Sequence, residues 1–121
     1  MRVMVDLFVK PVIMFSYTKE VNQEIIQPIL NGLEEEGIPF LLEEKEIMNI
    51  NAEAYVGAVA SSLQVGICCD EEMIVIHHKN LKEDEPYMML TRYQTRPKEQ
   101  LKNFGANAAR LVKGIPFKVI E

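Results

Sequence analysis

Three residues, Asp70, Glu71 and Glu72, separate the apolar runs at 64–69 (QVGICC) and 73–77 (MIVIH). Strands joined by so short a connection turn back on one another, because a parallel pair needs a crossover of a dozen residues or more, usually a helix. Any sheet formed by this chain therefore contains at least one antiparallel strand, and the remaining elements must be arranged around that hairpin.

Upstream, residues 12–17 (VIMFSY) form a short apolar, β-branched and aromatic run, suited to a strand covered on both faces. Val21, Ile25, Ile26, Ile29, Leu30 and Leu33 then recur at helical spacing, and Gly37 followed by Pro39 supplies the stop. Pro28 inside that pattern predicts a kink or a fresh helical start. Residues 38–42 (IPFLL) follow as a second strand reached by a tight turn at Gly37, as in a β-α-β unit. The alanine-rich stretch at 51–62 reads as a helix packed closely on the sheet, with Gly57 weakening its helical propensity. Leu101, Phe104, Ala108, Leu111 and Val112 mark a helix over 97–113 that stops at Gly114 and Pro116, and residues 115–119 read as a closing strand. This order predicts an α/β fold: a three-layer α/β/α sandwich with a mixed, mostly parallel sheet of about five strands, in a single domain over residues 1–121.

With 121 residues, of which 48% are hydrophobic, the chain has material for one core. Thirteen Lys and Arg face 18 Asp and Glu, and the net charge of -5 repels polyanions, so nucleic acid is not an expected ligand. No run approaches 18 uncharged apolar residues, which excludes an apolar membrane-spanning helix. Residues 1–17 carry Asp6 and Lys10 within their apolar stretch and lack a small-residue cleavage site, so they do not read as a signal peptide. Cys68 and Cys69 are adjacent, and strand geometry sends them to opposite faces, where they are poor disulfide partners. A cytoplasmic location is expected.

No glycine-rich loop ends in Gly-Lys-Ser/Thr and no GxGxxG follows a strand, so neither a nucleotide triphosphate nor a dinucleotide site is expected on this chain. Cys68, Cys69, His77 and His78 invite a zinc reading. Because the members of each pair are adjacent, only one of each can face a common site, two ligands where a closed site needs four. The expectation is core cysteines and a surface or hydrogen-bonded histidine.

Glu34, Glu35 and Glu36 are the most informative polar run. They stand in the last turn of the first helix, where the negative dipole end disfavours carboxylates. At about 100° per residue, Glu35 projects nearly opposite the face made by Ile26, Ile29, Leu30 and Leu33. It is either part of a solvated acidic face or a carboxylate offered to a cation held by another chain. The mixed charges from Lys79 to Glu85 read as a solvated loop. Asn103, Asn107, Arg110 and Lys113 lie on the polar side of the last helix, either solvated or facing a partner.

Specific words in the sequence then carry a resemblance. Val65-Gly66-Ile67-Cys68-Cys69-Asp70, His77-His78-Lys79-Asn80-Leu81, the block at 105–117 (GANAARLVKGIPF) and the upstream Gly32-Leu33-Glu34-Glu35-Glu36-Gly37-Ile38-Pro39 closely resemble the small subunits of diol and glycerol dehydratase reactivases. The likeness runs from about Val12 to Phe117, and the closing block is its most specific part. It implies a fold like that of the dehydratase's own medium subunit. It also implies a non-catalytic adaptor, working with a large subunit related to the actin and heat-shock chaperone ATPases in an assembly of two large and two small subunits. The assembly releases damaged cobalamin from a coenzyme B12-dependent dehydratase by subunit exchange. The resemblance aligns Glu35 with a glutamate that reaches a magnesium ion on the large subunit, so Mg and ATP or ADP are expected through the partner and no cofactor on this chain itself. The alternatives are a medium subunit of the dehydratase itself, or a free-standing nucleotide-binding α/β enzyme. The choice between propanediol and glycerol dehydratase, packaging in a bacterial microcompartment, the oligomeric state of the isolated chain and the role of residues 1–11 stay open. Without a phosphate-cradling loop, the isolated chain should give no measurable heat when titrated with Mg-ATP in a calorimeter, whereas tight binding would favour the free-standing enzyme.

Overall fold

A computed structural model describes residues 11–120, so all but the last residue of the 1–11 segment lies outside the description. The elements run β1 (Ile13–Tyr17), α1 (Gln23–Glu35), β2 (Phe40–Glu44), α2 (Ile50–Ala60), β3 (Val65–Cys69), β4 (Met73–His78), β5 (Met88–Thr91) and α3 (Lys98–Lys113), with a 3-10 turn at Tyr93–Thr95. The hairpin forms as the spacing requires. The side chain of Asp70 accepts from the backbone N–H groups of Glu72 and Met73, at 2.8 Å each, and so shapes the turn itself. The buried Tyr93 donates its hydroxyl to the Asp70 carbonyl at 2.6 Å, fastening that turn to the 3-10 segment.

The sheet order is β2-β1-β3-β4-β5, with β1 parallel to β2 and β3, and β4 antiparallel to both β3 and β5. Four strands thus point one way and β4 alone points the other. The α1 and α3 side of the sheet carries Ile13, Phe15, Val65, Ile67, Cys69, Ile74 and Ile76, packed with Ile26, Ile29, Leu33 and Phe104. On the opposite face, Cys68 and Val75 pack under Ala54 of α2. The three-layer sandwich is therefore as expected, and the two cysteines lie free on opposite faces of β3. Burial raises both thiols, that of Cys69 to about 12, so neither is a ready nucleophile.

Differences from the sequence pattern are local. The second strand begins at Phe40, because the positive-φ turn at Gly37 (φ 77°) takes up Ile38 and Pro39 as well. The helix α1 continues through Pro28 as one element, with Asn22 capping its start. The missing donor of Pro28 leaves only the carbonyl of the exposed Glu24 without its helical partner, and water can supply that. Residues 115–119 are not a strand. Asn107, itself buried, donates to the Lys118 carbonyl at 3.0 Å and accepts from the Lys118 N–H at 2.7 Å, doing from a helix what a neighbouring strand would do. The fifth strand is instead Met88–Thr91, four residues paired to β4 at the edge of the sheet that the described residues form.

Packing of helix against helix and helix against sheet depends on glycine. A Cβ on Gly32 would collide with the Lys102 carbonyl oxygen, and one on Gly105 with the Ile29 carbonyl oxygen, so α1 and α3 touch backbone to backbone. The starts of the two helices line one cleft, Glu24 and Pro28 with Lys98 and Leu101, and at the other end Glu36 meets Arg110 and Lys113, so the helices run parallel. On the other face a Cβ on Gly66 would strike the Ala54 carbonyl oxygen, which explains why β3 can lie directly beneath α2.

Parallel helices place two negative dipole ends together, and α1 has no basic residue in its last turn. The cations come from α3. The Glu36 side chain, 12% exposed, meets Lys113 at 2.7 Å and Arg110 at 3.1 Å, and its pKa is held below the ordinary 4.5 by the Lys113 hydrogen bond above all. Because the folded-state pKa is depressed, this clasp stabilises fully at neutral pH and is lost as the pH falls through and below the ordinary carboxylate value.

Two outcomes follow for stability. Gly105→Ala should lower the unfolding free energy by about 2–3 kcal/mol in urea, since backbone rather than a flexible side chain must give way. A loss within 0.5 kcal/mol would contradict the close contact. Glu36→Gln should cost about 1–2 kcal/mol at pH 7, a gap that closes below about pH 4, whereas Glu34→Gln at an exposed position should change stability by less than about 0.5 kcal/mol. Equal effects of the two substitutions would show that the glutamates are one solvated run.

Candidate partner-binding site

The three glutamates of the α1 terminus have separate environments. Glu34 is exposed, Glu36 is clasped by α3, and Glu35 stands outward with its side chain 53% exposed. The helical projection away from the core is thus where the structure puts Glu35. Its Oε2 meets the Nζ of Lys102 at 2.8 Å, and that hydrogen bond is the main cause holding the Lys102 ammonium above its usual pKa. Lys102 is a residue that the sequence pattern does not single out. A signal exists nonetheless: an acidic last turn without a base of its own requires cations from elsewhere, and α3 supplies them at Lys102, Arg110 and Lys113.

An exposed carboxylate is the kind of oxygen donor that hard cations take. Magnesium takes six oxygen ligands in near-octahedral geometry, however, and among the described residues no group of three His, Cys, Asp or Glu side chains could hold a metal ion. Glu35 can serve as one ligand of such an ion and not as the whole site.

The other candidate groups are committed within the chain. The strip on α3 is engaged with the rest of the chain while Lys113 stays exposed. Asn103 donates to the Val119 carbonyl at 3.2 Å, Asn107 brackets Lys118, Arg110 reaches both Glu36 and the Pro116 carbonyl, and Lys113 reaches Glu36. The closing GANAARLVKGIPF block is accordingly a clasp: Gly105 admits α1, Asn107 and Arg110 hold the tail, Gly114 adopts the left-handed turn (φ 70°), and Phe117 packs edge-on against Tyr87. His77 is fully buried. Its Nδ1 accepts from the His78 N–H at 3.0 Å, so Nε2 carries the proton and donates to the Glu83 carbonyl at 2.9 Å, and its ring lies edge-on to Tyr55. Both nitrogens are thereby occupied, and a shared site with Cys68 has no free imidazole to use. Glu83 ties the charged loop after β4 to the core through this bond.

The C-terminal ends of parallel strands are where open α/β sheets usually take a ligand. Here a cleft of about 480 Å³ is lined by Thr18, Lys19, Glu20, Glu44, Lys45 and Glu46. Acidic and basic side chains alternate around it, and Lys45 is held by Glu53 at 2.6 Å. Its walls contain no glycine-rich turn of the kind that cradles phosphate.

Comparison with known proteins agrees with this geometry. The dehydratase medium subunit family matches residues 10–118. The propanediol dehydratase-reactivating factor small subunit of Salmonella typhimurium is 47% identical over 90 residues, covering 74% of this chain and 76% of that protein. The diol dehydratase-reactivating factor small subunit of Klebsiella michiganensis is 46% identical, covering 74% and 70% respectively. Among solved structures, a chain of a diol dehydratase-reactivating factor complexed with ADP and Mg2+ superposes with a TM-score of 0.85 at 38% identity, covering 92% of this chain and all of that one. A glycerol dehydratase reactivase chain superposes with a TM-score of 0.84 at 28% identity, covering 93% of this chain and all of that one. By sequence, by fold and by its relatives, the chain belongs to the dehydratase medium subunit family and, within it, to the small subunits of diol and propanediol dehydratase-reactivating factors.

Proposed function

We propose that this chain is a non-catalytic adaptor of one domain, residues 1–121, which acts with a large ATP-handling subunit to release damaged cobalamin from a coenzyme B12-dependent diol or glycerol dehydratase. Release proceeds by subunit exchange, the adaptor taking the place of the fold-related medium subunit of the dehydratase. Two large and two small subunits make up the working assembly, in the cytoplasm or inside a bacterial microcompartment. Nucleotide and magnesium belong to the large subunit, and Glu35 of this chain completes the magnesium coordination across the interface.

The observation that carries this reading is the exposed Glu35 carboxylate, presented at a rigid helix end while its neighbour Glu36 is locked inward. The ADP and Mg2+ bound in the related diol dehydratase factor support a metal at that kind of assembly. The medium subunit itself is the rival, favoured only by the breadth of the family match; the curated relatives at 44–47% identity are all reactivating-factor small subunits.

Glu35→Gln preserves shape and removes charge. It should weaken magnesium-dependent association with the large subunit about tenfold and slow dehydratase reactivation, while unfolding stability changes by less than about 0.5 kcal/mol. Surface-immobilised large subunit with Mg-ADP provides the measurement, with Glu34→Gln as the matched control. Parent-like binding of Glu35→Gln across the whole magnesium range would refute the metal role.

A further inference from the structure

A carboxylate offered to a partner's metal must be held by something before the partner arrives, and here the holder is visible. Lys102 starts from a fixed backbone position. Its carbonyl oxygen lies against Gly32 so closely that a Cβ there could not fit, which fixes the Lys102 backbone relative to the last turn of α1. From that fixed point its Nζ reaches Glu35 Oε2 at 2.8 Å, with side chains 34% and 53% exposed.

We propose that Lys102 is the internal counter-ion of Glu35 in the unassembled subunit, and that assembly exchanges its ammonium for a divalent cation held by the partner. The inference rests on the Glu35 reading above. The two cations do not share the carboxylate comfortably. With magnesium at about 2.1 Å from one oxygen and the ammonium on the other, like charges would stand only about 5 Å apart. Released, Lys102 has a second acceptor within reach, because Glu99 lies one turn earlier on α3, at the spacing where helical side chains meet. That acceptor lowers the cost of freeing the ammonium, and the resting pair keeps Glu35 from binding stray cations while the subunit is alone. It also makes magnesium, rather than the bare protein surface, the condition for a firm grip.

The test uses the complete small subunit with its co-expressed large subunit and reads the Mg2+ concentration giving half-maximal association. Lys102→Met keeps the aliphatic stem and removes the charge, and it should lower that concentration by about two- to fivefold, the range expected for an exposed ion pair. Lys102→Arg should stay near the parent value, and Lys102→Met should have no effect in a Glu35→Gln background. An unchanged or raised midpoint for Lys102→Met overturns the exchange, as does an equal shift with and without Glu35. Weak association of Glu35→Gln together with a parent-like Lys102→Met would remove the exchange alone, whereas parent-like behaviour of Glu35→Gln would remove the metal role and the exchange with it.

Discussion

The parallel helices α1 and α3 meet through Gly32 and Gly105, each of which presents only hydrogen atoms to the backbone of the other helix. Contact this close sets the register between the helices to within a fraction of a residue, because any slip would drive a side chain into a carbonyl oxygen. That register brings Arg110 and Lys113 to Glu36 and Lys102 to Glu35. The same geometry creates the electrostatic difficulty that these pairs relieve, since two helix ends of negative dipole lie side by side. Core packing, charge placement and the angle at which Glu35 faces outward are therefore consequences of one helix-to-helix contact.

The opposite face of the sheet uses the same device with a different outcome. Gly66 lets β3 run beneath α2, and Gly57, whose Cβ would lie 3.2 Å from that of Met14, keeps the helix down on β1. Among the described residues one helix covers this face, and Leu41 and Met89 at its flanks, with Val56 and Val59 on the helix itself, are substantially exposed. The tail after α3 is tied by Asn103, Asn107 and Arg110 instead of by strand pairing.

Much of this was legible in the sequence, for identifiable reasons. The three-residue connection at Asp70 allowed only a hairpin, and the cysteine pair had to split across the sheet. Helical projection placed Glu35 away from the core. The tail was misread as a strand because Ile115, Phe117 and Val119 alternate as strand residues do, while the pairing partner, Asn107, is a side chain that no periodicity reveals. The true edge strand at Met88–Thr91 is too short, and too near charged and turn residues, to announce itself. The pairing of Glu36 with α3, and Lys102 itself, escaped notice for a related cause. Their partners lie more than 60 residues away in sequence, and only the glycine contact between helices brings them together.

An adaptor of this kind contributes position more than chemistry. Its buried groups are neutral or paired, and the proposed contribution to the metal is one carboxylate at a rigid helix end. The most direct test is a structure of this chain assembled with its large subunit and Mg-ADP. The account predicts a Glu35 oxygen at about 2.1 Å from the magnesium ion, the normal ligand distance, with the Lys102 ammonium drawn away from the carboxylate. A magnesium ion fully coordinated without Glu35, and Glu35 still resting on Lys102, would contradict it.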